Sequence, residues 1–222
     1  MTYSRFAIYY IPSGPLADFG AAWLGWDVRT AALADQPEVP GVSDVVAAPR
    51  KYGFHGTLKP PFRLSHGTTR QGLEMAVGAM ASELPPAQFD QLALSQLGRF
   101  LALTPHGDLK LLEHIAGTCV MQLDAFRAPA FEAELARRRR VGLTSQQEAL
   151  LLRWGYPYVL DEFRFHLTLT GRLDAAHGSY WKSVAQAHMP KLPEPFSIDQ
   201  ISLVGERPDG YFELIRSYAL TG

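Results

Sequence analysis

One cysteine stands in 222 residues, so no internal disulfide can staple this fold. Cys119, in the apolar string Gly-Thr-Cys-Val-Met, reads as a buried thiol and favours a reducing compartment. Charge of one sign is not in excess either: 21 Lys and Arg face 22 Asp and Glu, for a formal net charge of −1 and a pI near 6.7. Without a global positive field, long nucleic acid held by counterion release is not an expected partner, and a small or terminal phosphate ligand fits better. No apolar run is long enough to cross a membrane, and Phe6 to Ile11 is too short for a signal-peptide core, so the protein is read as cytoplasmic, with no membrane partner. Also missing are a Gly-x-x-x-x-Gly-Lys-Ser/Thr loop, a Gly-x-Gly-x-x-Gly turn, a His-Glu-x-x-His helix and any cysteine pair. P-loop nucleotide hydrolysis, dinucleotide redox chemistry and a zinc site are therefore unsupported, and no cofactor is expected. At 47% hydrophobic and 19% charged, the composition is that of an ordinary globular chain rather than a disordered one.

What is present is a repeated stretch. Tyr52-Gly53-Phe54-His55-Gly56-Thr57-Leu58-Lys59 and Phe163-Arg164-Phe165-His166-Leu167-Thr168-Leu169-Thr170-Gly171-Arg172 both read Phe-His-x-Thr-Leu, half a chain apart. Successive side chains of a β-strand point to opposite faces. One face of the first copy then carries His55, Thr57 and Lys59; the matching face of the second carries Arg164, His166, Thr168, Thr170 and Arg172. The other faces are apolar, with Phe54 and Leu58 in one copy and Phe165, Leu167 and Leu169 in the other. A wet face serving solubility alone has no reason to repeat that order.

Around the two motifs the chain runs through similar elements. Phe6 to Ile11 is a β-prone run closed by Pro12-Ser13-Gly14-Pro15 and is expected as a central strand. Leu16 to Trp26 has helical spacing, and Thr30 to Pro49 is a long connection without a period. Thr68 to Leu84 reads as an amphipathic helix, Phe89 to Leu94 with Arg99 to Thr104 as a hairpin, and Leu109 to Phe126 as a helix. Ala130 to Arg140 is helical with a basic end, and Thr144 to Glu148 opens another helix with a capping signature. After the second motif come a helix over Tyr180 to His188 and a hairpin of Phe196 to Val204 with Tyr211 to Leu220. The expectation is an α+β protein, a single bilobal domain over 1–222 whose lobes, about 1–105 and 106–222, are pseudo-symmetric, with strands open to exchange between them. The sheets should be mostly antiparallel, with helices outside.

Two His-x-Thr tetrads in apolar strand contexts resemble the 2H phosphoesterase superfamily. The longer surroundings, Tyr-Gly-Phe-His-Gly-Thr-Leu-Lys-Pro-Pro-Phe, Trp23-Leu24-Gly25-Trp26 and Phe-His-Leu-Thr-Leu-Thr-Gly, resemble its DUF1045 branch, found with phosphonate-utilisation genes. The resemblance covers nearly the whole chain. It implies a LigT-like cleft between two lobes with the histidines facing each other, and metal-independent chemistry on a phosphodiester, usually a cyclic one. Related members include RNA 2′,3′-cyclic phosphodiesterases, 2′–5′ RNA ligase-like enzymes and phosphodiesterases acting on ADP-ribose cyclic phosphate. By position, His55 and His166 match the catalytic histidines, and Thr57 and Thr168 the phosphate-binding hydroxyls.

The residue types suit that chemistry. Opening a cyclic phosphodiester needs a base for water and an acid for the leaving oxygen, and two imidazoles can hold opposite protonation states at one pH. Threonine hydroxyls can donate to oxygens whose charge grows in the transition state. Lys59 and Arg172 could add formal positive charge, with Thr170 beside them, while Tyr52, Tyr9 and Arg164 are further candidates for substrate contact. Sequence does not say which histidine is base and which acid. The bland readings are a solvated Lys59 or Arg172 at a strand end, an ion-paired Arg164, and surface or capping roles for His66, His106, His114, His177 and His188. Arg137-Arg138-Arg139-Arg140, with Glu132, Glu134 and Asp124 nearby, reads as a solvated helix end. The expected activity is hydrolysis of a small sugar or nucleotide cyclic phosphate. The alternatives are an enzyme of short RNA ends, opening 2′,3′-cyclic phosphates or making 2′–5′ linkages, and a phosphate-binding module without turnover.

Overall fold

A continuous apolar run can be buried on both faces, and Phe6–Tyr10 (β1) is: every residue of it is inaccessible. The computed structural model describes residues 2–222. After β1 follow a helix, Gly14–Leu24 (α1), two short strands, Trp26–Asp27 (β2) and Ala32–Leu33 (β3), and two single-turn helices, Val42–Val45 (α2) and Ala47–Arg50 (α3). The first motif forms Gly56–Phe62 (β4), then Arg70–Ser82 (α4), Ala87–Phe89 (β5) and the hairpin Gln91–Leu97 (β6) and Phe100–His106 (β7). Three helices come next, Lys110–Gln122 (α5), Glu132–Arg139 (α6) and Ser145–Trp154 (α7). The second motif contributes Leu167–Thr168 (β8), before Gly178–His188 (α8), Phe196–Ile198 (β9), Gln200–Glu206 (β10) and Phe212–Ala219 (β11).

Seven strands make one antiparallel sheet in the order β11-β10-β1-β4-β8-β7-β6, so the two motif strands are neighbours at its middle. The β6–β7 hairpin from the first half of the chain flanks β8 from the second, while β10 and β11 from the second half lie beyond β1 and β4. Main-core residues Ile8, Leu58, Leu103, Leu167 and Leu203 pack against α4 and α5. A smaller cluster of Tyr9, Trp26, Val28 and Phe212 lies apart from it. Two indoles tie α1 and its exit to the sheet: Trp23 Nε1 donates to the Leu169 carbonyl at 2.8 Å and Trp26 Nε1 to the Phe212 carbonyl at 2.9 Å.

The Thr144 capping box forms in full, with Thr144 and Gln147 exchanging side-chain and backbone hydrogen bonds. The Thr30 to Pro49 connection is packed rather than draped, since Val42 and Val46 are buried and Gly171 N–H donates to the Val45 carbonyl. The expected strand Phe196 to Val204 divides at Asp199: β9 pairs with β5 in a small separate sheet, and only β10 joins the large one. The second motif, expected as one long strand, is regular for two residues only, because Leu169 and Thr170 leave the ladder to share the Leu101 carbonyl.

Candidate active site

The pairing of β4 with β8 sets the two histidines side by side. Gly56 lies opposite Leu167, and a Cβ on Gly56 would sit 2.3 Å from the Phe165 ring, so the residue after His55 must be glycine for the second motif to pack across it. Gly53, two residues before His55, has φ +72°, and a Cβ there would meet Val28 at 2.5 Å. Its carbonyl accepts from His55 Nδ1 at 2.8 Å, and the Arg164 carbonyl accepts from His166 Nδ1 at the same distance. A carbonyl can only accept, so in each ring the Nδ1 proton is fixed by the residue two before it and Nε2 is the nitrogen left for chemistry. Thr57 Oγ1 lies 3.0 Å from His55 Nε2.

The two rings have different neighbours. Tyr9, only 1% exposed, stacks on His55 with ring centroids 3.7 Å apart and planes 21° from parallel. Burial, and in smaller part the nearby His166, pushes the His55 pKa down to about 4, with the Gly53 hydrogen bond opposing, so this imidazole is neutral near pH 7. Phe100 approaches His166 at 5.6 Å, tilted by 55°. Both imidazoles, Thr57, Tyr9, Tyr52 and Arg164 line one cavity of about 610 Å³. Thr168, Thr170 and Arg172 line an adjoining cavity of about 310 Å³, which shares Tyr52, His55 and Phe100 with the first.

Three expected contacts change character. Lys59 does not share the face of His55 and Thr57. Tyr9 pairs with Thr57 but Ile8 pairs with Lys59, so Leu58 is an extra residue and the resulting bulge turns Lys59 to the side of the core residue Ile8. There it is 2% exposed, donates to the Val120 carbonyl at 2.9 Å and lies 4.0 Å from Asp124. Burial holds its pKa down to about 8, against the pull of Asp124. Thr170 is 1% exposed and its hydroxyl accepts from the Leu101 amide, which ties the loop after β8 to β7. Tyr9, almost wholly buried, stacks on His55 and meets the cavity only at its wall.

The sequence reading missed the other walls of the larger cavity: Arg5, Phe100, Tyr156, Tyr158 and, from the basic run dismissed as a solvated helix end, Arg137 and Arg138. Their one signal was that run itself, and nothing in it showed that its helix would lie over the histidines. Among the described residues no group of three or more His, Cys, Asp or Glu is placed to hold a metal ion, and no helix is long and apolar enough to cross a membrane.

Comparison with known proteins places the chain. Two curated relatives share the name ribose 1,5-bisphosphate phosphokinase PhnN. The one from Janthinobacterium sp. (strain Marseille) is 36% identical over 219 residues, covering 93% of this chain and 48% of the relative. The one from Laribacter hongkongensis (strain HLHK9) is 35% identical over 191 residues, covering 83% and 44%. The chain thus spans about half the length of the curated relatives it matches. Among solved structures, E. coli LigT complexed with 3′-AMP aligns over 98% of both chains at 16% identity with a TM-score of 0.46, a likeness too distant to carry a role for any residue. The model of the family described as a protein of unknown function, DUF1045, matches residues 57–213, from Thr57 of the first motif through the whole of the second, and the chain belongs to that family.

Proposed function

We propose that this protein is a 2H-type cyclic phosphodiesterase that hydrolyses a small sugar or nucleotide cyclic phosphate without a metal ion. The observation that carries the reading is the matched pair of imidazoles on adjacent strands, each with Nδ1 tied to the carbonyl two residues before it, which leaves Nε2 as the nitrogen for proton transfer. His55, neutral near pH 7, is the base: its Nε2 takes a proton from water as the water oxygen forms a bond to phosphorus. His166, protonated at Nε2, gives that proton to the ester oxygen as its bond to phosphorus breaks. One P–O bond forms, one breaks, and the ring opens to a phosphomonoester and a hydroxyl. Thr57, which meets His55 Nε2 in this structure, and Thr168 donate to the non-bridging oxygens.

The name of the curated relatives supports a ribose phosphate as the substrate. Opening a cyclic phosphate on an already phosphorylated ribose yields a ribose bisphosphate, the class of compound in that name. The kinase activity is not what these residues are built for, because the chain has no phosphate-cradling Gly-x-x-x-x-Gly-Lys-Ser/Thr loop. A place in phosphonate metabolism is part of this reading. The test is hydrolysis, in EDTA, of a panel comprising nucleoside 2′,3′-cyclic phosphates, ADP-ribose 1″,2″-cyclic phosphate, ribosyl 1,2-cyclic phosphates and an RNA 2′,3′-cyclic end, with His55→Ala and His166→Ala beside the parent. Turnover that resists EDTA and collapses in both variants is expected; turnover that survives either substitution would overturn the two-histidine mechanism.

A further inference from the structure

The larger cavity, at about 610 Å³, exceeds what a scissile phosphate between two imidazoles fills, and its wall carries more than the two motifs. Four arginines line it: Arg5 from just before β1, Arg137 and Arg138 from α6, and Arg164 from the second motif. Glu162, whose Oε2 accepts from Gln147 Nε2, is the one acid among the described lining residues. Arg5 is matched by Glu206 and Arg138 by Glu134. Arg137 makes no ion pair among the described residues, and Arg164 donates only to the backbone carbonyls of Asp161 and Phe163. That leaves Arg137 and Arg164 on the cavity wall without a carboxylate partner among the described residues, in a chain of net charge −1.

Arg138 is held more firmly than Arg137. Arg138 is 17% exposed, its guanidinium lies 4.5 Å over the Tyr156 ring, and its Nε–H is buried with no hydrogen-bond partner among the described residues. A buried donor without an acceptor is costly, so the Glu134 pair and the Tyr156 face are what hold this side chain at the cavity wall. The helix that carries Arg137 and Arg138 has no buried residue and is tied to α7 by the pair Arg139–Glu148, so it brings these cations to the cleft without adding to the core.

We propose that the end of the cavity walled by α6 is a subsite for a second, non-scissile phosphoryl group. The substrate is then a cyclic phosphate that also bears a terminal phosphate, an inference that rests on the reaction proposed above. An Arg fork presents paired donors that match phosphate oxygens, and Arg137 and Arg138 are the specificity-determining residues. The test uses two pairs of compounds, a ribosyl 1,2-cyclic phosphate with and without a 5-phosphate and a nucleoside 2′,3′-cyclic phosphate with and without a 5′-phosphate. The wild-type protein is expected to prefer the phosphorylated member of at least one pair by about 100-fold in kcat/KM, and Arg137→Ala and Arg138→Gln each to cut that preference by at least about tenfold, through KM. No preference in the wild type, or equal losses on both members, would overturn the subsite. If neither member of any pair is hydrolysed, the reaction is wrong, and calorimetric binding of the same compounds still decides the subsite. It stands if the phosphorylated member binds at least about tenfold tighter and Arg137→Ala removes the difference, and it falls otherwise. Arg137, exposed and unpaired, is the variant least able to disturb folding; the thermal midpoint of Arg138→Gln controls for the other.

Discussion

His55 lies under the ring of Tyr9 at 3.7 Å, with Thr57 on its Nε2, at the head of a seven-residue strand. His166 precedes a strand of two residues, with Phe100 tilted 5.6 Å away and no hydrogen bond to its Nε2 among the described residues. The motif is the same, and so is the backbone carbonyl that fixes each Nδ1. What differs is the packing. In the proposed mechanism, two copies of one five-residue pattern take the roles of base and acid through what lies on the ring, and the pattern itself holds neither role.

The comparison breaks most completely when either ring is removed. His55→Ala and His166→Ala are each expected to lower kcat on a cyclic phosphate by about 10²- to 10⁴-fold, measured by product release, with thermal midpoints near that of the parent. Gly56→Val attacks the pairing that sets the rings side by side. A Cβ 2.3 Å from the Phe165 ring must push the motif strands apart, so a loss of stability of about 1–3 kcal/mol in denaturant titration is expected, together with a fall in kcat.

The pH dependence sharpens the difference between the two sites. In the proposed mechanism His55 works as base only when neutral, so the acid limb of kcat/KM that it sets should lie near pH 4, with activity lost as pH falls through that value. Tyr9→Ala admits water to the ring and should move that limb up toward the ordinary histidine value of 6.5. An unmoved limb would separate Tyr9 from the base.

The smallest effect on rate is expected at Lys59. Because the bulge turns it into the core, Lys59→Met is expected to change KM by less than about twofold, whereas loss of a charge-assisted phosphate contact would raise it about tenfold or more. Its signature is in stability instead. With the Lys59 pKa at about 8 in the fold and at the ordinary lysine value of 10.5 in the unfolded chain, the unfolded chain binds a proton across that window that the folded chain has shed, so wild-type stability rises with pH from 8 to 10.5. In Lys59→Met that contribution should be gone, as read by urea titration at a series of pH values.

These same residues mark what sequence could and could not tell. Alternation placed His55 with Thr57 correctly because β4 is regular up to Thr57, and it failed at Lys59 because one extra residue inverts the side chains that follow it, until the register shifts again before Phe62. Local signals were read well where their physics is local. The all-apolar run became β1, and Thr144 with Gln147 became a full capping box. Asp199 divided an expected strand, although its interruption of the alternation was visible, because the partner that claims Phe196–Ile198 is β5, more than a hundred residues away. Arg137 and Arg138 were illegible as site residues for a related reason. Their helix has no buried face, so no periodicity recorded which neighbour it covers.

The division of labour between the histidines can be measured by changing the leaving group. A p-nitrophenyl phosphodiester releases a stable phenolate that needs no proton, whereas a cyclic phosphate releases an alkoxide that does. His166→Ala should lose about 10²- to 10⁴-fold on the cyclic substrate and recover most of that loss on the nitrophenyl ester, while His55→Ala stays impaired on both. Recovery in His55→Ala instead, or equal loss in both variants on both substrates, would contradict the assignment of His55 as base and His166 as acid.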